Sequence, residues 1–470
     1  MLPIALVTLA ALTAAQTPQT RTIHSVCDLS QKFTFYMDGR FHRQYLKDVG
    51  RDVRNWGSLA KTDLSNCNLL VLTGGNRRIP YAPATIANID KFVRGGGTLL
   101  LMIDGSKPPQ PGTDVAEHFD ATLTTTRARR PLERPRDLSA DEVTFRGGSV
   151  LEIGEDWDIW IQDAEQRPVL ASRRHDLGHV LIGSRGLFGQ RPDASDPINA
   201  QWITPMLVEL TSAKPIDPRA PHKTTWVEHQ KQIGPLTLEY HDGTERFAAD
   251  IVKEYEVVRP HLVEITGVEP SPGMIKRLLI LPTGGGGFSS GQRIAIGAWW
   301  GNYPEKRYPM VELIAHEAGH SWVLPYAEPL WNEPIATWLG IQVGRRLGME
   351  QADKTLARQI AAGRKHDPDY TQLNPMADDT PRNVIWGKSY FVFEELERRH
   401  GPGAMAKYFR TKRAALPPTR GATGKGYSMD DCVAVWSRAV GEDLFGWFRS
   451  LAFDVSAERT NLYPPATTDR

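Results

Sequence analysis

Cysteine is scarce in this chain, whose 470 residues include three: Cys27, Cys67 and Cys432. Three scattered cysteines lack the spacing of a structural zinc finger and are too few for a disulfide-rich scaffold. In an oxidising compartment Cys27 and Cys67 can pair, which would leave Cys432 as a buried thiol. The sequence alone does not establish that pairing.

A charge imbalance and a second long apolar run are also missing. The chain has 56 Lys and Arg against 55 Asp and Glu, so its formal net charge is +1. This balance gives no electrostatic reason to expect a nucleic-acid partner. Beyond the first residues, no segment reaches the roughly 18–20 apolar residues that cross a bilayer, so we expect no membrane span.

The first 15 residues, MLPIALVTLAALTAA, form the one long apolar run and precede the polar QTPQT. An apolar run that ends in small residues is typical of a secretory signal peptide, here cut near Ala15. Only the amino terminus supplies positive charge, and the alternatives are a short hydrophobic strand or an incorrect start site. The signal-peptide interpretation predicts a secreted or periplasmic protein.

The chain is too long for one ordinary core, so we expect more than one domain. In the first half, the apolar NLLVLTGG (68–75), a helical pattern over 83–95 and the apolar TLLLM (98–102) follow one another. A strand–helix–strand unit of this kind predicts a parallel sheet, and therefore an α/β domain. Further strands are predicted at 150–153, 168–171 and 179–183, and an irregular excursion at 107–148.

The second half has a different pattern. A proline-rich stretch, AKPIDPRAPHK (213–223), reads as a linker. Three short strands are predicted around 236–240, 276–282 and 292–300, with a flexible glycine-rich loop at 283–291, and helices dominate after residue 300. Ser428 and Asp431 form a capping box before a helix. The predicted organisation is a signal peptide at 1–15, an α/β domain at 24–212, the linker at 213–223, an α+β, mostly helical domain at 224–460, and a disordered tail at 461–470.

The first domain resembles the class I glutamine-amidotransferase-like fold, which is flavodoxin-like. The resemblance covers TLLLM after its glycine-rich turn, and the later HVLIGSRGLF (179–188) and PINAQWITPMLVEL (197–210). It implies a cysteine nucleophile at a strand-to-helix turn, but this chain has Asp104 at about that place. We therefore expect a non-catalytic domain.

His316, Glu317 and His320 form a His-Glu-x-x-His motif within YPMVELIAHEAGHSW (308–322). Four helical residues turn about 400°, so both imidazoles project from one face and can reach one metal ion. Glu317 is placed to take a proton from a metal-bound water. A catalytic zinc keeps three protein ligands, and Glu333 is the leading candidate for the third. The alternative is an amphipathic core helix with two hydrogen-bonded histidines.

Four features, in order along the chain, resemble the gluzincin metallopeptidases of the aminopeptidase-like type. They are GAWWGN (297–302), HEAGHSW (316–322), LWNEPIA (330–336) and the later helix that begins WGKSYF (386–391). The resemblance implies one zinc ion per chain, held by His316, His320 and Glu333, with Glu317 as the base. Pro334, directly after the third ligand, requires Glu333 to lie in the first turn of its helix.

Two departures from the gluzincin pattern bear on activity. Trp300 occupies about the place of the Glu that binds the free amine of an aminopeptidase substrate, so we predict an endopeptidase. Trp386 occupies the place of the oxyanion-stabilising Tyr, and Tyr390, one turn later, is the substitute candidate.

The sequence thus predicts a secreted zinc metallopeptidase that acts on a peptide or protein substrate. The alternatives are a zinc-containing pseudo-enzyme that serves as a binding module, and a peptidase of glycosylated proteins.

Overall fold

A computed structural model describes most of the chain. The described ranges are 23–28, 41–55, 59–73, 80–105, 112–130, 132–133, 143–145, 147–188, 197–217, 227–281, 286–298, 302–323, 328–415 and 426–456. A mixed α/β N-terminal region with a mostly parallel sheet precedes a largely helical C-terminal region, which confirms the predicted fold class. The predicted signal peptide, most of the linker and the predicted tail lie outside these ranges.

The N-terminal region is built on a seven-stranded sheet with the order β2-β1-β3-β4-β9-β8-β7. The first five strands in that order are parallel, and β8 and β7 continue the sheet antiparallel. The strands are β1 (Ile23–Asp28), β2 (Gly50–Asn55), β3 (Leu69–Leu72), β4 (Thr98–Met102), β7 (Asp158–Gln162), β8 (Pro168–His175) and β9 (Gly178–Gly183).

Strand β4 shows why this sheet is buried on both faces. Leu100 and Met102 belong to one apolar cluster, together with helix α3 (Pro197–Leu210). Leu99 and Leu101 belong to a second cluster, together with helix α1 (Pro83–Arg94). A parallel sheet covered on both sides requires apolar residues at every position, which is the pattern TLLLM has.

The strand predicted at 150–153 is confirmed as β6 (Ser149–Ile153), which pairs with β5 (Ala121–Arg127) in a separate two-stranded sheet. The prediction of an irregular excursion at 107–148 was wrong in part, because this stretch contains β5 and a short helix, α2 (Thr113–His118). The Arg, Pro and Gly residues of this stretch interrupt the periodicity from which β5 and α2 could have been predicted.

The pairing of Cys27 with Cys67, which the sequence left open, does not occur in the structure, where all three cysteines are buried and none forms a disulfide. The parallel register places Cys27 opposite Val71, which is four residues beyond Cys67. At about 3.3 Å per residue this offset is roughly 13 Å, whereas a disulfide needs Cα atoms within about 7 Å. The Cys67 thiol instead donates a hydrogen bond to the Leu69 carbonyl, at 3.1 Å.

The C-terminal region begins with a five-stranded sheet of order β10-β11-β12-β14-β13. The strands are β10 (His229–Ile233), β11 (Leu236–Tyr240), β12 (Arg277–Leu281), β13 (Gly287–Ser289) and β14 (Arg293–Gly297). Strand β13 lies inside the loop predicted to be flexible, and it pairs antiparallel with β14 at the edge of the sheet. Strand β14, which carries the start of GAWWGN, is therefore an inner strand.

Helices make up the rest of this region and share one apolar core with the sheet. They are α4 (Glu245–Thr266), α5 (Arg307–Val323), α6 (Asn332–Arg346), α7 (Glu350–Arg364), α8 (Arg382–His400), α9 (Ala404–Ala414), α10 (Met429–Val440) and α11 (Phe445–Ser450). The predicted capping box is confirmed, since Ser428 and Asp431 exchange side-chain-to-backbone hydrogen bonds at the start of α10. Of the helices described, none has the length and apolarity to cross a membrane.

A buried ion pair ties three segments of this core together. The Lys388 ammonium lies 3.0 Å from the Asp367 carboxylate, and both side chains are fully enclosed. The same ammonium donates to the carbonyls of Leu373, at 2.5 Å, and Leu451, at 2.9 Å.

We expect Asp367→Asn to lower the free energy of unfolding by about 3–5 kcal/mol, because it leaves a buried ammonium without a counter-charge. Urea unfolding followed by circular dichroism measures the change. Glu350→Gln, in the exposed Glu350–Lys354 pair, is the matched control and should have little effect. Equal losses in the two variants would contradict the expectation.

Candidate metal centre

Helix α5 presents the two histidines of the motif to one point. Their Nε2 atoms are 3.2 Å apart, and the two rings are nearly perpendicular, at 85°. His320 is buried and His316 is largely so. The one-turn spacing predicted from the sequence therefore brings both Nε2 atoms together.

The third predicted ligand comes from the neighbouring helix. Helix α6 begins at Asn332, so Glu333 lies in its first turn and Pro334 interrupts no helical hydrogen bond, as the sequence required. The helices pack closely, because a Cβ added to Gly340 would lie 2.7 Å from the backbone oxygen of Glu312 on α5. This contact keeps Glu333 within reach of the histidines.

The donor atoms fit a tetrahedral metal ion. One Glu333 carboxylate oxygen, Oε2, lies 3.4 Å from His316 Nε2, and the other, Oε1, lies 3.5 Å from His320 Nε2. With metal–ligand bonds of about 2.0–2.1 Å, the edges of a tetrahedron are roughly 3.3–3.4 Å long. The 3.2 Å between the imidazoles is close to one such edge, and each carboxylate oxygen is about one edge away from one of the histidines. The carboxylate can therefore complete a three-ligand set that leaves a fourth corner for a non-protein ligand.

The charge states also suit a metal. Burial lowers the pKa of His320 to about 4, and the neighbouring His316 adds to that effect. The hydrogen bond from His316 holds the pKa of Glu333 below its usual value. Burial opposes protonation of His316, but Glu333 and Glu317 outweigh it and raise the pKa of that histidine. A neutral His320 and an ionised Glu333 are the forms that bind zinc.

Glu317, the predicted base, is buried beside the two histidines, with ligand atoms of all three residues within 4.8 Å of one another. Strand β13 passes directly over it. A Cβ added to Gly287 would lie 2.6 Å from the Glu317 carboxylate, so only glycine fits at this position of the strand. The edge of the sheet thus borders the carboxylate.

Thr337 fixes the orientation of one ligand. Its hydroxyl lies 2.9 Å from His316 Nδ1, one turn beyond Glu333 on α6. A hydroxyl that accepts the Nδ1 proton keeps the proton off Nε2, which leaves Nε2 free for a metal.

The structure does not support the predicted oxyanion role of Tyr390. Its side chain is fully enclosed, and its hydroxyl lies next to Thr337. It is therefore on the Nδ1 side of His316, behind the histidine. Trp300, in the place of the amine-binding Glu, lies outside the described residues.

Sequence reasoning gave no role to two residues that border the site. Asn332 lies beside His320, and its Oδ1 is a buried oxygen with no hydrogen-bond partner. Arg382, the first residue of α8, is exposed and places positive charge near Glu333. No motif pointed to either, because both positions depend on how α6 and α8 pack.

In the N-terminal region, Asp104 follows β4 as predicted. Its carboxylate accepts hydrogen bonds from the Ser184 hydroxyl, at 2.7 Å, and from the Ser149 backbone amide, at 3.2 Å, and it pairs with Arg185 at 3.4 Å. The carboxylate is thus engaged in holding the loops after β4 and β9.

Comparisons with known proteins yield only distant structural similarities. No family model and no curated protein match the chain. The mmIFT52 N-terminal domain is 16% identical, with 40% of this chain and 96% of that one covered and a TM-score of 0.31. The cytoplasmic protein STM1381 from Salmonella typhimurium LT2 is 12% identical, with 41% and 100% covered and a TM-score of 0.27.

A third similar structure is the exo-beta-1,4-mannosidase Op5Man5 from Opitutaceae bacterium strain TAV5. It is 16% identical, with 40% of this chain and 36% of that one covered and a TM-score of 0.29. None of the three structures is described as a peptidase.

We expect the purified chain to bind one zinc ion, and His320→Ala to lose it, because two donor atoms cannot hold a tetrahedral ion tightly. Mass spectrometry of metal content after dialysis measures both. His366→Ala, at an exposed histidine elsewhere in the region, should keep the metal. Retention of zinc by the His320 variant would rule out this donor set.

Thr337→Val should weaken zinc binding by roughly 10–100-fold, because His316 loses the partner that fixes its ring. Competition with a fluorescent zinc chelator measures the affinity. Thr337→Ser keeps the hydroxyl and should restore most of the binding. If valine and serine behave alike, the hydroxyl has no such function.

Proposed function

We propose that this chain is a zinc-dependent metallopeptidase that hydrolyses peptide bonds as an endopeptidase. The observation that supports the proposal best is that the Glu333 carboxylate approaches the Nε2 atoms of both His316 and His320, which lie 3.2 Å apart. Glu317 lies beside that point, with its ligand atom within 4.8 Å of those of both histidines. This combination suits hydrolysis better than structural metal binding, because three protein ligands leave one position open.

The chemistry divides between the metal and the protein. A zinc ion held by the three ligands would supply a Lewis acid for the scissile carbonyl and lower the pKa of water. Glu317 takes a proton from the attacking water while the water oxygen forms a bond to the carbonyl carbon. When the carbon–nitrogen bond breaks, Glu317 returns that proton to the leaving amine.

The surroundings of Glu317 and His316 suit these roles. Gly287 on β13 closes one side of the Glu317 carboxylate, which restricts the positions that the side chain can adopt. Thr337 orients His316 from the opposite side. A base and a ligand held in this way lose little entropy when the substrate arrives.

The mode of cleavage and the location of the protein rest on the sequence. Trp300 stands where the related aminopeptidases have the Glu that binds a free amine, so an internal peptide bond is the proposed target. The apolar residues 1–15 support a secreted or periplasmic protein. The proposed partner is a peptide or protein, and nothing in the balanced charge favours a nucleic acid.

The enclosed Tyr390 favours a second candidate function. Because its hydroxyl lies behind His316, Tyr390 does not supply the tyrosine donor expected by resemblance, and a site without such a donor could retain zinc without catalysis. The second candidate is therefore a zinc-containing binding module. A peptidase of glycosylated proteins is a narrower form of the first candidate, and it differs in cleaving mucin but not bare peptides.

We expect the zinc-loaded chain to cleave casein or a broad peptide library, and Glu317→Gln to reduce cleavage roughly 10²–10⁴-fold, since the general base is lost. Mass spectrometry of the products measures cleavage, and the metal content should stay at one ion per chain. Glu350→Gln, on an exposed surface of α7, is the matched control.

Two outcomes would count against this mechanism. Activity that survives both a chelator and Glu317→Gln would exclude it. Bound zinc without turnover on casein, the library or mucin would favour the binding module.

A further inference from the structure

We propose that Arg382, supported by Trp386, is a specificity-determining residue that binds a carboxylate group of the substrate. The inference rests on the proposed peptidase function and adds the chemical class of substrate that the site selects. It is argued from the packing of helices α6 and α8.

Helices α6 and α8 run side by side in the same direction. Toward their later turns, the Trp338 indole and the Gln342 amide of α6 both donate to Glu394 of α8, at 2.8 and 2.9 Å. Thr337, one residue before Trp338, neighbours Tyr390, one turn before Glu394. Helix α7 lies antiparallel to both, because its Ala352 end is next to Gly344 of α6 and its Gly363 end is next to Asn383 of α8. The first turns of α6 and α8 therefore lie at the same end.

That shared end carries the metal ligand and the arginine. Glu333 is the second residue of α6, and Arg382 is the first residue of α8. The guanidinium of Arg382 lies close enough to the Glu333 carboxylate for the two charges to interact. Arg382 therefore stands at the rim of the candidate metal centre.

Two aromatic rings on α8 position the Arg382 guanidinium. Arg382, Trp386 and Tyr390 follow one another at four-residue intervals, so they share one face of α8. The Arg382 guanidinium carbon lies 5.3 Å from the centre of the Trp386 ring, and that ring lies 6.0 Å from the ring of Tyr390. Stacking on an indole limits the conformations of an exposed arginine and leaves its N–H groups directed outward.

Arg382 has no acidic partner in the described part of the chain. Several other arginines of the region do have one: Arg307 pairs with Glu254, Arg345 with Glu394, Arg346 with Glu264, and Arg399 with Glu395. An exposed guanidinium held by an aromatic ring, beside a metal centre and without a counter-ion, is available to a ligand.

The chemistry of the guanidinium identifies that ligand. Its planar array of N–H donors matches the two oxygens of a carboxylate, which it can bind through two parallel hydrogen bonds. A peptide offers carboxylates from two sources, an Asp or Glu side chain or the chain terminus. Either would be held while the scissile bond lies at the metal centre.

The experiment uses zinc-loaded full-length protein and pools of random heptapeptides in matched forms. In the first comparison, two pools differ only in having Glu or Gln at one fixed position, and the comparison is repeated for each position of the peptide. In the second comparison, two pools differ only in having a free or an amidated C-terminus. Cleavage is measured as kcat/KM for each pool. Binding is measured as Kd by calorimetry in the Glu317→Gln background, which does not depend on turnover.

We expect the acid form to be preferred over the amide form by about tenfold in one of the two pairs, the scale of one charge-assisted hydrogen bond at an accessible site. The pair that shows the preference identifies the source of the carboxylate. Arg382→Gln should bring the ratio of kcat/KM for the acid form to that for the amide form close to one. Arg382→Lys should retain part of the preference for the acid form, because an ammonium keeps the charge but not the paired donors.

Arg399→Gln is the matched control, because Arg399 also stacks on a tryptophan of the same region, 4.7 Å from the Trp447 ring, at the far end of α8. It should keep the wild-type preference. The inference is overturned if the wild type shows no preference in either pair, or if the preference survives Arg382→Gln.

The two proposals can fail separately. Cleavage without any carboxylate preference refutes the role of Arg382 and leaves the peptidase standing. A carboxylate preference in Kd without cleavage refutes the peptidase and retains Arg382 as a binding residue. Circular dichroism and zinc content show whether Arg382→Gln folds. If it does not, the ratio of kcat/KM for the acid form to that for the amide form is measured in Arg382→Lys, and an undiminished preference for the acid form overturns the inference.

Discussion

The candidate metal centre depends on how closely two helices can approach each other. Two of its ligands lie on α5 and the third on α6, so the distances among them are set by the contact at which Gly340 faces the Glu312 backbone. A side chain at Gly340 would push the helices apart. Since tetrahedral zinc tolerates only a few tenths of an ångström in its bonds, such a displacement would remove Glu333 from the site even though every ligand was still present.

Sequence reasoning succeeded where the relevant geometry is local. His316 and His320 converge because of the helical period alone, and the capping box of α10 lies within four residues. The prediction of Glu333 as the third ligand also depended on the resemblance to gluzincins and on Pro334, which requires Glu333 to lie in the first turn of its helix. In the N-terminal region, the unbroken apolar character of TLLLM predicted a strand buried on both faces, as the structure has it.

It failed where the outcome depends on distant parts of the chain. Tyr390 could be assigned to the correct helix, but which face of α8 is enclosed follows from its packing against α6. Whether Cys27 and Cys67 pair could not be decided from the sequence, because the register between β1 and β3 is set by the whole sheet. Strand β13 has three residues in a glycine-rich segment, too few to show the alternation by which strands are recognised.

The enclosed ammonium of Lys388 has a consequence for how much of the chain the C-terminal fold needs. One of its three oxygen partners is the carbonyl of Leu451, which lies beyond the last helix and 63 positions further along the chain. A cut placed before Leu451 would remove one oxygen partner from a charge in the middle of the core. The turn after α11 is thus an internal part of the C-terminal fold, and trimming from that end reaches a limit at one main-chain oxygen.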